Sequence, residues 1–324
     1  MLTVLCGGVG GAKLVAGIAA VLADPSALTV IVNTADDWQH LGLHISPDVD
    51  TVLYTLAGLA GRERGWGIEG DTWAALEMLG RYGVPTWFRL GDRDLATHIA
   101  RTVWLREGRR LTEVTHRLRE ALRIVPVVLP MSDDRVATVV RTPAGRLAFQ
   151  EYFVLRGARD PVTAVEFEGL ERARPSPEAV DAVRSARLLI VAPSNPVVSI
   201  RPILALPGME AALAQSAALR VAVTPLIRGE AVKGPTVEML RGLGMDAAPH
   251  AVVALYRTFL DVFVLDARDR ALTGSVAGAG SPGRALEVEC ADTLMPDAAG
   301  RRRLARDLLV IARARGVEIP VRPE

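Results

Sequence analysis

The sequence has 324 residues, of which half are apolar and 23% are charged, with a formal net charge of +1. This balance is typical of a globular protein with a large core and argues against intrinsic disorder. We interpret the short basic run Arg301–Arg303 as a solvated helix face, so we expect no nucleic-acid partner. Cys6 and Cys290 form no C-x-x-C motif, which favours a reducing, cytoplasmic location.

Residues 14–23 are the stretch most easily mistaken for a signal-peptide core or a membrane segment. They are apolar but lie between Lys13 and Asp24, whereas a membrane-spanning helix needs about 20 apolar residues. No basic region precedes Cys6, as a secretion signal requires. We therefore expect no membrane segment.

Short apolar runs alternate with helical stretches from the first residue onward. Residues 2–6 predict a strand, and the glycine-rich turn 7–11 leads into a helix over 12–23. Further buried strands are predicted at 28–32, 187–192, 219–224 and 262–265. Because helical stretches separate these runs, the fold class is α/β, with a doubly wound, mainly parallel, Rossmann-like sheet.

Two segments interrupt this alternation. Residues 136–141 and 147–154 flank a turn at 142–146 and predict a β-hairpin. Residues 47–123 are mainly helical in pattern and begin at Ser46-Pro47, with the serine as N-cap and the proline in the first turn. We therefore predict a Rossmann-like nucleotide-binding core from residues 1–46 and 124–324, and a mostly helical lobe from residues 47–123.

Unusual polar and glycine residues fall where predicted strands end. Such positions share the carboxyl edge of a parallel sheet, which is the usual ligand crevice. The turn after the first strand offers backbone N–H groups and a helix N-terminus to a phosphate, although it matches neither a full dinucleotide fingerprint nor a P-loop. Glycines that serve only a tight turn remain the alternative. The candidate phosphate-binding residues are Gly8, Gly10, Gly11, Lys13, Ser194, Asn195 and Lys233.

Four carboxylates lie within fifteen positions after the second strand: Asp36, Asp37, Asp48 and Asp50. Oxygen ligands of this kind suit Mg²⁺, which also binds substrate phosphates, and an acidic residue here can hold a ribose hydroxyl. Asp36 or Asp37 could instead be turn residues, and Asp48 could complement the dipole of its own helix.

Residues 89–98 gather five ionisable side chains, beginning with Arg89 and ending with His98. A solvated loop and a structural histidine are the plainer interpretations. All five tryptophans lie between Trp38 and Trp104, so an aromatic ligand could bind near this lobe, although most of these rings are expected to serve the core.

Taken together, these segments resemble the 2-phospho-L-lactate transferase family along nearly the whole chain and in the same order. The matching strings are C-G-G-V-G-G-A-K-L (6–14), N-T-A-D-D (33–37), S-P-D-V-D-T-V-L-Y-T-L (46–56), R-L-G-D-R-D-L-A-T-H (89–98), L-P-M-S-D-D (129–134), F-Q-E-Y-F (149–153), P-S-N-P-V-V-S-I-R-P-I-L (193–204), K-G-P (233–235) and A-D-T-L-M (291–295).

The resemblance implies transfer of a 2-phospholactyl or phosphoenolpyruvyl group from a GDP-linked three-carbon acid to the ribityl hydroxyl of the deazaflavin Fo, during coenzyme F-420 biosynthesis. The implied cofactor is Mg²⁺, with Asp36, Asp37 and Asp48 as candidate metal ligands. The implied catalytic residues are Asp36, Asp37 and Asp50. The resemblance also places Asp50 and Arg89 in contact with Fo, and it implies that the helical lobe helps to form the deazaflavin site.

Two other functions remain open from the sequence. A strand, a glycine loop, a helix and an acidic residue also begin an NAD-dependent oxidoreductase, although the glycine fingerprint is incomplete. A non-catalytic nucleotide-binding regulatory protein of the same fold is the other alternative. The sequence does not distinguish the two donors, and a homodimer is one of the open oligomeric states.

Overall fold

A computed structural model describes residues 1–61, 65–281 and 283–323. Its strands are β1 (Leu2–Cys6), β2 (Leu28–Val32), β3 (Trp38–His40), β4 (Leu43–Ile45), β5 (Val127–Pro130), β6 (Ala137–Thr142), β7 (Gly145–Ala148), β8 (Ala164–Glu168), β9 (Leu188–Val191), β10 (Leu219–Val223), β11 (Leu226–Ile227), β12 (Glu230–Ala231), β13 (Val262–Asp266) and β14 (Glu287–Ala291).

The α-helices are α1 (Gly8–Val21), α2 (Pro47–Leu56), α3 (Ala74–Arg81), α4 (Asp92–Arg106), α5 (Leu111–Ala121), α6 (Pro177–Arg184), α7 (Arg201–Ala205), α8 (Met209–Gln215), α9 (Thr236–Gly242), α10 (Pro249–Tyr256), α11 (Thr273–Ala277) and α12 (Ala298–Arg313). Short 3₁₀ turns lie at Pro25–Ala27 and Ala267–Leu272, and π-helical turns at Glu151–Leu155 and Pro196–Ile200.

The central sheet has seven strands in the order β14-β13-β10-β9-β1-β2-β5, and every neighbouring pair is parallel. The chain builds outward from β1 through β2 to β5, then crosses to β9 and builds outward on the other side. This is the Rossmann order, extended by one strand, with its switch point between β1 and β9. The predicted doubly wound parallel sheet is confirmed.

Both edge strands of this sheet escaped the sequence prediction. The β5 strand is preceded by Pro126 and ends at Pro130, and prolines normally argue against a strand, although an edge strand tolerates them. In β14 the apolar residues alternate with Glu287 and Glu289. It therefore lacks the continuous apolar run by which the inner strands were found.

Helices cover both faces of the sheet because successive strand side chains point to opposite sides. In β1, Leu5 belongs to one core cluster and Val4 to the other. On the side of Val4, α1 packs against α12, and a Cβ at Gly17 would lie 2.2 Å from the carbonyl oxygen of Arg301. Glycine at position 17 therefore permits the close approach of these two helices.

The predicted hairpin is confirmed as β6 and β7, and β8 joins it in a small antiparallel sheet. The second half of the predicted strand 147–154 is wrong, because residues 151–155 form a π-helical turn. In that turn Tyr152 is fully buried, and Phe149 stacks on Phe153 with ring centroids 5.5 Å apart. Aromatic content favoured a strand locally, whereas packing selected a helical turn.

Residues 47–123 contain α2, α3, α4 and α5, as the expectation of a mostly helical insertion required. Val49 and Val52 of α2 and Val114 of α5 belong to the same core cluster as α1. The helical lobe and the sheet therefore share apolar packing, while the proposed domain division itself stays a prediction.

Across the described ranges, no single helix is long and apolar enough to cross a membrane. One bent pair, Pro196–Ala205 with Met209–Gln215, passes that test of length and composition only when its two helices are taken together.

Candidate functional site

The loops after β1 and β9 meet at the switch point through Ser194. Its hydroxyl donates to the carbonyl oxygen of Gly7 over 2.7 Å and accepts from the Gly7 N–H over 3.1 Å. The Asn195 side-chain oxygen accepts from the N–H groups of Val197 and Val198 and caps the following turn. Ser194 and Asn195 therefore lie at the carboxyl edge of the sheet, as expected. The Ser194 hydroxyl and the Asn195 side-chain oxygen already bind backbone groups of the protein.

Close contacts explain the glycines of the first loop. A Cβ at Gly7 would lie 2.3 Å from Asp48 Oδ2, one at Gly10 would lie 2.7 Å from the Pro193 carbonyl oxygen, and one at Gly11 would lie 2.6 Å from Ser194 Oγ. Gly8 has φ +62°, a left-handed conformation that favours glycine. The helix begins at Gly8 rather than at residue 12, so Gly10 and Gly11 lie in its first turn.

Asp48 reaches from α2 to the N-terminus of α1. Its Oδ1 accepts from the Gly8 N–H over 2.8 Å, and its Oδ2 accepts from Asn33 Nδ2 over 3.0 Å. Burial raises the pKa of Asp48 to about 6 despite these hydrogen bonds, and the charge of Asp37 adds to the rise. Its carboxylate thus complements the dipole of α1 as an anion.

Asp36 and Asp37 lie beside Asp48, directly after β2. Burial and the charge of Asp48 raise the pKa of Asp36 well above its ordinary value. Within the described residues, Oδ1 of Asp36 and Oδ1 of Asp37 are buried without a hydrogen-bond partner. Three acidic side chains are therefore concentrated at the end of β2, and two carry unsatisfied oxygens.

Ser46 is the N-cap residue of α2 and Pro47 begins the helix, as predicted, but the prediction that the Ser46 hydroxyl caps the helix is wrong. Its hydroxyl donates to Asp37 Oδ2 over 2.7 Å instead of capping α2. His44 Nε2 lies 3.0 Å from the same oxygen. Burial raises the pKa of Asp37, while His44 and Ser46 oppose the rise.

The acidic group suits Mg²⁺ as a partial set of ligands, which substrate phosphates and water would complete. Among residues 1–61, 65–281 and 283–323, no group of three or more His, Cys, Asp or Glu side chains is arranged to hold a metal ion. Mg²⁺ is commonly held by one or two carboxylates together with substrate phosphates and water. The unsatisfied oxygen of Asp36 and its neighbour Asp48 match that smaller requirement.

The only lysines in the sequence, Lys13 and Lys233, interact with each other near the first turns of α1. Lys13 donates to the Met295 carbonyl oxygen over 3.2 Å, and burial and the charge of Arg301 lower its pKa. Desolvation and the charge of Lys13 lower the pKa of Lys233. A Cβ at Gly65 would lie 3.1 Å from Lys233 Nζ and 2.9 Å from a Val9 methyl group, which places this ammonium beside α1.

Arg301 departs from the sequence interpretation of its run. It is half-buried and within electrostatic reach of Lys13, whereas Arg302 and Arg303 are exposed as expected. Three cations are thus gathered beside the helix N-terminus. A cluster of positive charge of this kind attracts anions.

Asp50 lies in the helical lobe and is held by a residue that the sequence interpretation missed. The guanidinium of Arg101, which is fully buried, contacts both Asp50 oxygens, with Nη1 3.0 Å from Oδ2. His98 Nδ1 lies 3.2 Å from the same Nη1. Burial of Arg101 is therefore offset by a two-point ion pair.

The network continues along α4. His98 Nε2 lies 3.2 Å from Asp94 Oδ1, which also accepts from the Tyr54 hydroxyl over 2.8 Å. Although burial raises the pKa of Asp94, His98, Tyr54 and Arg101 together hold it below its ordinary value. The sequence carried a signal for this network, because residues 94, 98 and 101 recur at the spacing of one helical face.

Arg89 is exposed, with its guanidinium carbon 4.5 Å from the centroid of the Trp73 ring. This stacking is a cation–π contact. No hydrogen bond or ion pair in the described parts of the chain joins Arg89 to Asp50. The two residues expected to contact Fo therefore lie in the same helical lobe without touching.

The chain matches a known protein family over most of its length. Residues 2–282 match the family model described as 2-phospho-L-lactate transferase CofD. The chain belongs to the 2-phospho-L-lactate transferase family. It is accordingly a transferase, as expected, rather than an NAD-dependent oxidoreductase.

Two relatives carry different activity names. The chain is 41% identical over 314 residues to a 2-phospho-L-lactate transferase from Methanopyrus kandleri, covering 96% of this chain and 97% of that protein. It is 39% identical over 316 residues to a phosphoenolpyruvate transferase from Kitasatospora aureofaciens, covering 95% and 96%. The family therefore includes proteins named for both three-carbon groups.

A solved structure extends the comparison to the fold. A UPF0052-family protein from Bacillus halodurans is similar with a TM-score of 0.59 at 17% identity, covering 95% of this chain and 98% of that one. At this identity the likeness supports the architecture alone.

Proposed function

We propose that this transferase moves a 2-phospholactyl or phosphoenolpyruvyl group from a GDP-activated donor to the ribityl hydroxyl of Fo (7,8-didemethyl-8-hydroxy-5-deazariboflavin), with Mg²⁺ as cofactor. The products are GMP and either F-420-0 or dehydro-F-420-0. Relatives named for each group support both donors.

The reaction forms one bond and breaks one. The ribityl oxygen bonds to the phosphorus that carries the three-carbon acid, and the bond from that phosphorus to the bridging oxygen of GMP breaks. The hydroxyl proton passes to a carboxylate at the site, and GMP leaves with the electron pair of the broken bond. Such a transfer depends on positioning and on neutralising phosphate charge rather than on covalent catalysis.

The observation that carries this proposal is the placement of both kinds of charge near the first turns of α1. Asp48 binds the Gly8 N–H beside buried Asp36, for which no ion pair is present among the described residues, and Lys13 and Lys233 lie on α1 and next to Val9. Asp36 and Asp48, with Asp37 as a third candidate, would hold Mg²⁺. When bound, Mg²⁺ supplies positive charge to the transferred phosphate.

The remaining residues divide between donor and acceptor. Lys13 and Lys233 pair with the donor phosphates, and the backbone at Gly8, Gly10, Gly11, Ser194 and Asn195 lines the switch point beside them. Asp50 orients the ribityl hydroxyl, because each oxygen of a carboxylate keeps further lone-pair sites when it accepts from Arg101. Arg89 contributes to the deazaflavin side of the site.

A product assay tests the proposal. The protein is mixed with Fo and each GDP-linked donor, with Mg²⁺ or with EDTA, and the products are identified by mass. We expect GMP and one of the two phosphodiesters to form in equal amounts, only with Mg²⁺. Tight binding of NAD by calorimetry, with no binding of Fo and no GMP release, contradicts the proposal.

A further inference from the structure

A cavity of about 210 Å³ lies next to the acidic group, under the β3–β4 hairpin. Its lining residues come from the loop after β2, the β3–β4 hairpin, α4, α5 and the segment that joins β5 to β6. A single water needs only about 10–15 Å³ of such space, and pockets for drug-sized ligands hold about 300–1,000 Å³. The cavity therefore suits a fragment of a ligand.

Three of the lining groups carry unsatisfied hydrogen-bonding atoms. Thr34 Oγ1, Asp37 Oδ1 and Trp38 Nε1 are buried and have no hydrogen-bond partner among the residues that the structure describes. The side chain of Asp37 is only 8% exposed. Buried polar atoms in native proteins are nearly always satisfied by protein, ordered water or a ligand, so three at one cavity mark a place where a group with both donors and acceptors can bind in exchange for water.

The chemistry of the three atoms identifies the class of occupant. The Asp37 oxygen accepts, the Trp38 indole N–H donates, and the Thr34 hydroxyl does either. Adjacent hydroxyl groups on a carbon chain match all three, because each hydroxyl both donates and accepts. Leu105, Leu111 and Val136 supply apolar surface for the carbon chain.

The position agrees with this chemistry. An acidic residue after the second strand of a Rossmann-like sheet commonly binds ribose hydroxyls. Gln39, Asp134 and Arg135 line the cavity and are exposed, so it reaches the surface. We infer that this cavity is a polyol subsite, in which Thr34, Asp37 and Trp38 bind neighbouring hydroxyl groups of a five-carbon chain.

Two substrates could supply that chain, the ribityl group of Fo and the ribose of the guanosine donor. Naming them rests on the proposed function, whereas the binding of hydroxyl groups does not. The test therefore includes free ribitol, which needs neither substrate.

The first arm follows the indole N–H resonances by NMR. Ribitol is expected to shift the Trp38 resonance downfield as its N–H gains an acceptor, and 1-pentanol, which has the same carbon count, is not. The second arm measures affinities of Thr34→Val and Trp38→Phe by calorimetry for Fo, a deazaflavin without the ribityl chain, GDP and 2′,3′-dideoxy-GDP. One lost neutral hydrogen bond predicts roughly three- to tenfold weaker binding.

Two matched variants are the controls. Thr115 is also buried with an unpartnered Oγ1, and Trp87 packs against Trp38 with ring centroids 5.2 Å apart, but neither lines the cavity. Thr115→Val and Trp87→Phe should bind every ligand as the parent does.

The pattern of losses identifies the chain that binds. Weakened Fo binding with unchanged binding of the ring analogue assigns the ribityl group, and weakened GDP binding with unchanged dideoxy-GDP binding assigns the ribose. An unmoved Trp38 resonance with ribitol, together with parental affinities in both cavity variants, overturns the inference. Failure of the product assay alone leaves the ribitol arm intact, so the two failures are distinguishable.

Discussion

The carboxylates at the sheet edge and those in the helical lobe are all buried, yet their surroundings differ. Asp36 and Asp48 at the edge have raised pKa values, because burial and a neighbouring carboxylate disfavour the charge. Asp94 in the lobe has a lowered pKa, because His98, Tyr54 and Arg101 outweigh the same burial. We call Asp36 and Asp48 the edge carboxylates, and Asp50 and Asp94 the lobe carboxylates.

The difference indicates that one group of carboxylates serves ligand binding and the other serves stability. A buried carboxylate that pairs with a cation of the chain needs no ligand to balance its charge. Removing it therefore lowers the free energy of unfolding. A buried carboxylate without such a cation is balanced by a bound metal ion or substrate. Removing it therefore weakens binding more than it lowers the stability of the fold. The five predictions below test that division, beginning with the largest effect.

Replacing Arg101 by methionine removes the two-point ion pair of buried Asp50 and leaves it with His98, whose Nδ1 lies 3.6 Å from Oδ2. Removing one partner of a buried ion pair typically costs about 3–5 kcal/mol, so Arg101→Met should lower the free energy of unfolding by that amount in a urea titration. Arg106 lies on the same helix, and its guanidinium contacts only the exposed Gly42 carbonyl oxygen by hydrogen bond in the described chain. Arg106→Met should therefore stay near the parent, and equal stability of both variants would remove the distinction.

Replacing Asp36 by asparagine should lower activity without lowering stability, in contrast to Arg101→Met. The variant loses one of two neighbouring like charges, so the free energy of unfolding at pH 8 should stay equal or rise. Turnover should fall by about a hundredfold or more, since a metal centre supplies several kcal/mol of charge stabilisation. Turnover at several Mg²⁺ concentrations checks the role, with recovery at high Mg²⁺ expected. Parental turnover at low Mg²⁺ would contradict it.

Asp50→Asn separates the acceptor role of a lobe carboxylate from its structural role. The charge pair with Arg101 is lost, so stability should fall as in Arg101→Met. Turnover of the fraction that stays folded should fall roughly a hundredfold if Asp50 orients the hydroxyl, without rescue by Mg²⁺. Rescue by Mg²⁺ would instead make Asp50 a metal ligand. Unchanged turnover per folded molecule would end the acceptor assignment.

The lysines give a smaller effect. A charge-assisted hydrogen bond contributes about 1.5–3 kcal/mol, so Lys13→Ala and Lys233→Ala should each weaken GDP binding about tenfold or more and leave Fo binding unchanged. Calorimetry measures both affinities. Arg302→Ala, an exposed change on α12, is the control. Parental GDP affinity in both lysine variants would identify them as surface residues.

The edge carboxylates also predict a modest pH dependence of stability. The pKa of Asp48 is raised to about 6 from an ordinary 3.8, so the folded protein holds a proton that the unfolded chain releases between these values. This stabilisation is complete below pH 4 and is lost as the pH rises through 6. Asp48→Asn should therefore gain stability relative to the parent between pH 4 and 7, as measured by urea titrations. A constant difference across that range would contradict the raised pKa.

The inner strands and the ligand-binding edge of the sheet were predictable because each has a local sequence pattern. Buried parallel strands are continuous apolar runs, as in 28–32, and the glycine, acidic and lysine residues follow them directly. The ion pair of Asp50 with Arg101 was not predictable, since the residues are separated by 51 positions and pair only through helix packing. Likewise, the Ser46 hydroxyl could accept from the first N–H groups of its helix or donate to Asp37, and the tertiary structure selects the bond to Asp37.

The close contact of α1 with α12 has a consequence for how the chain is made. At Gly17 the first helix touches the carbonyl oxygen of Arg301, and β1 pairs with β9 near residue 190. A ribosome releases the N-terminal part first, at about 5–20 residues per second, so the first strand and helix wait roughly 10–60 seconds for these two neighbours. Contacts this distant in sequence are slow to form. The apolar face of α1 that α12 covers therefore stays uncovered until residue 301 and its helix have been made.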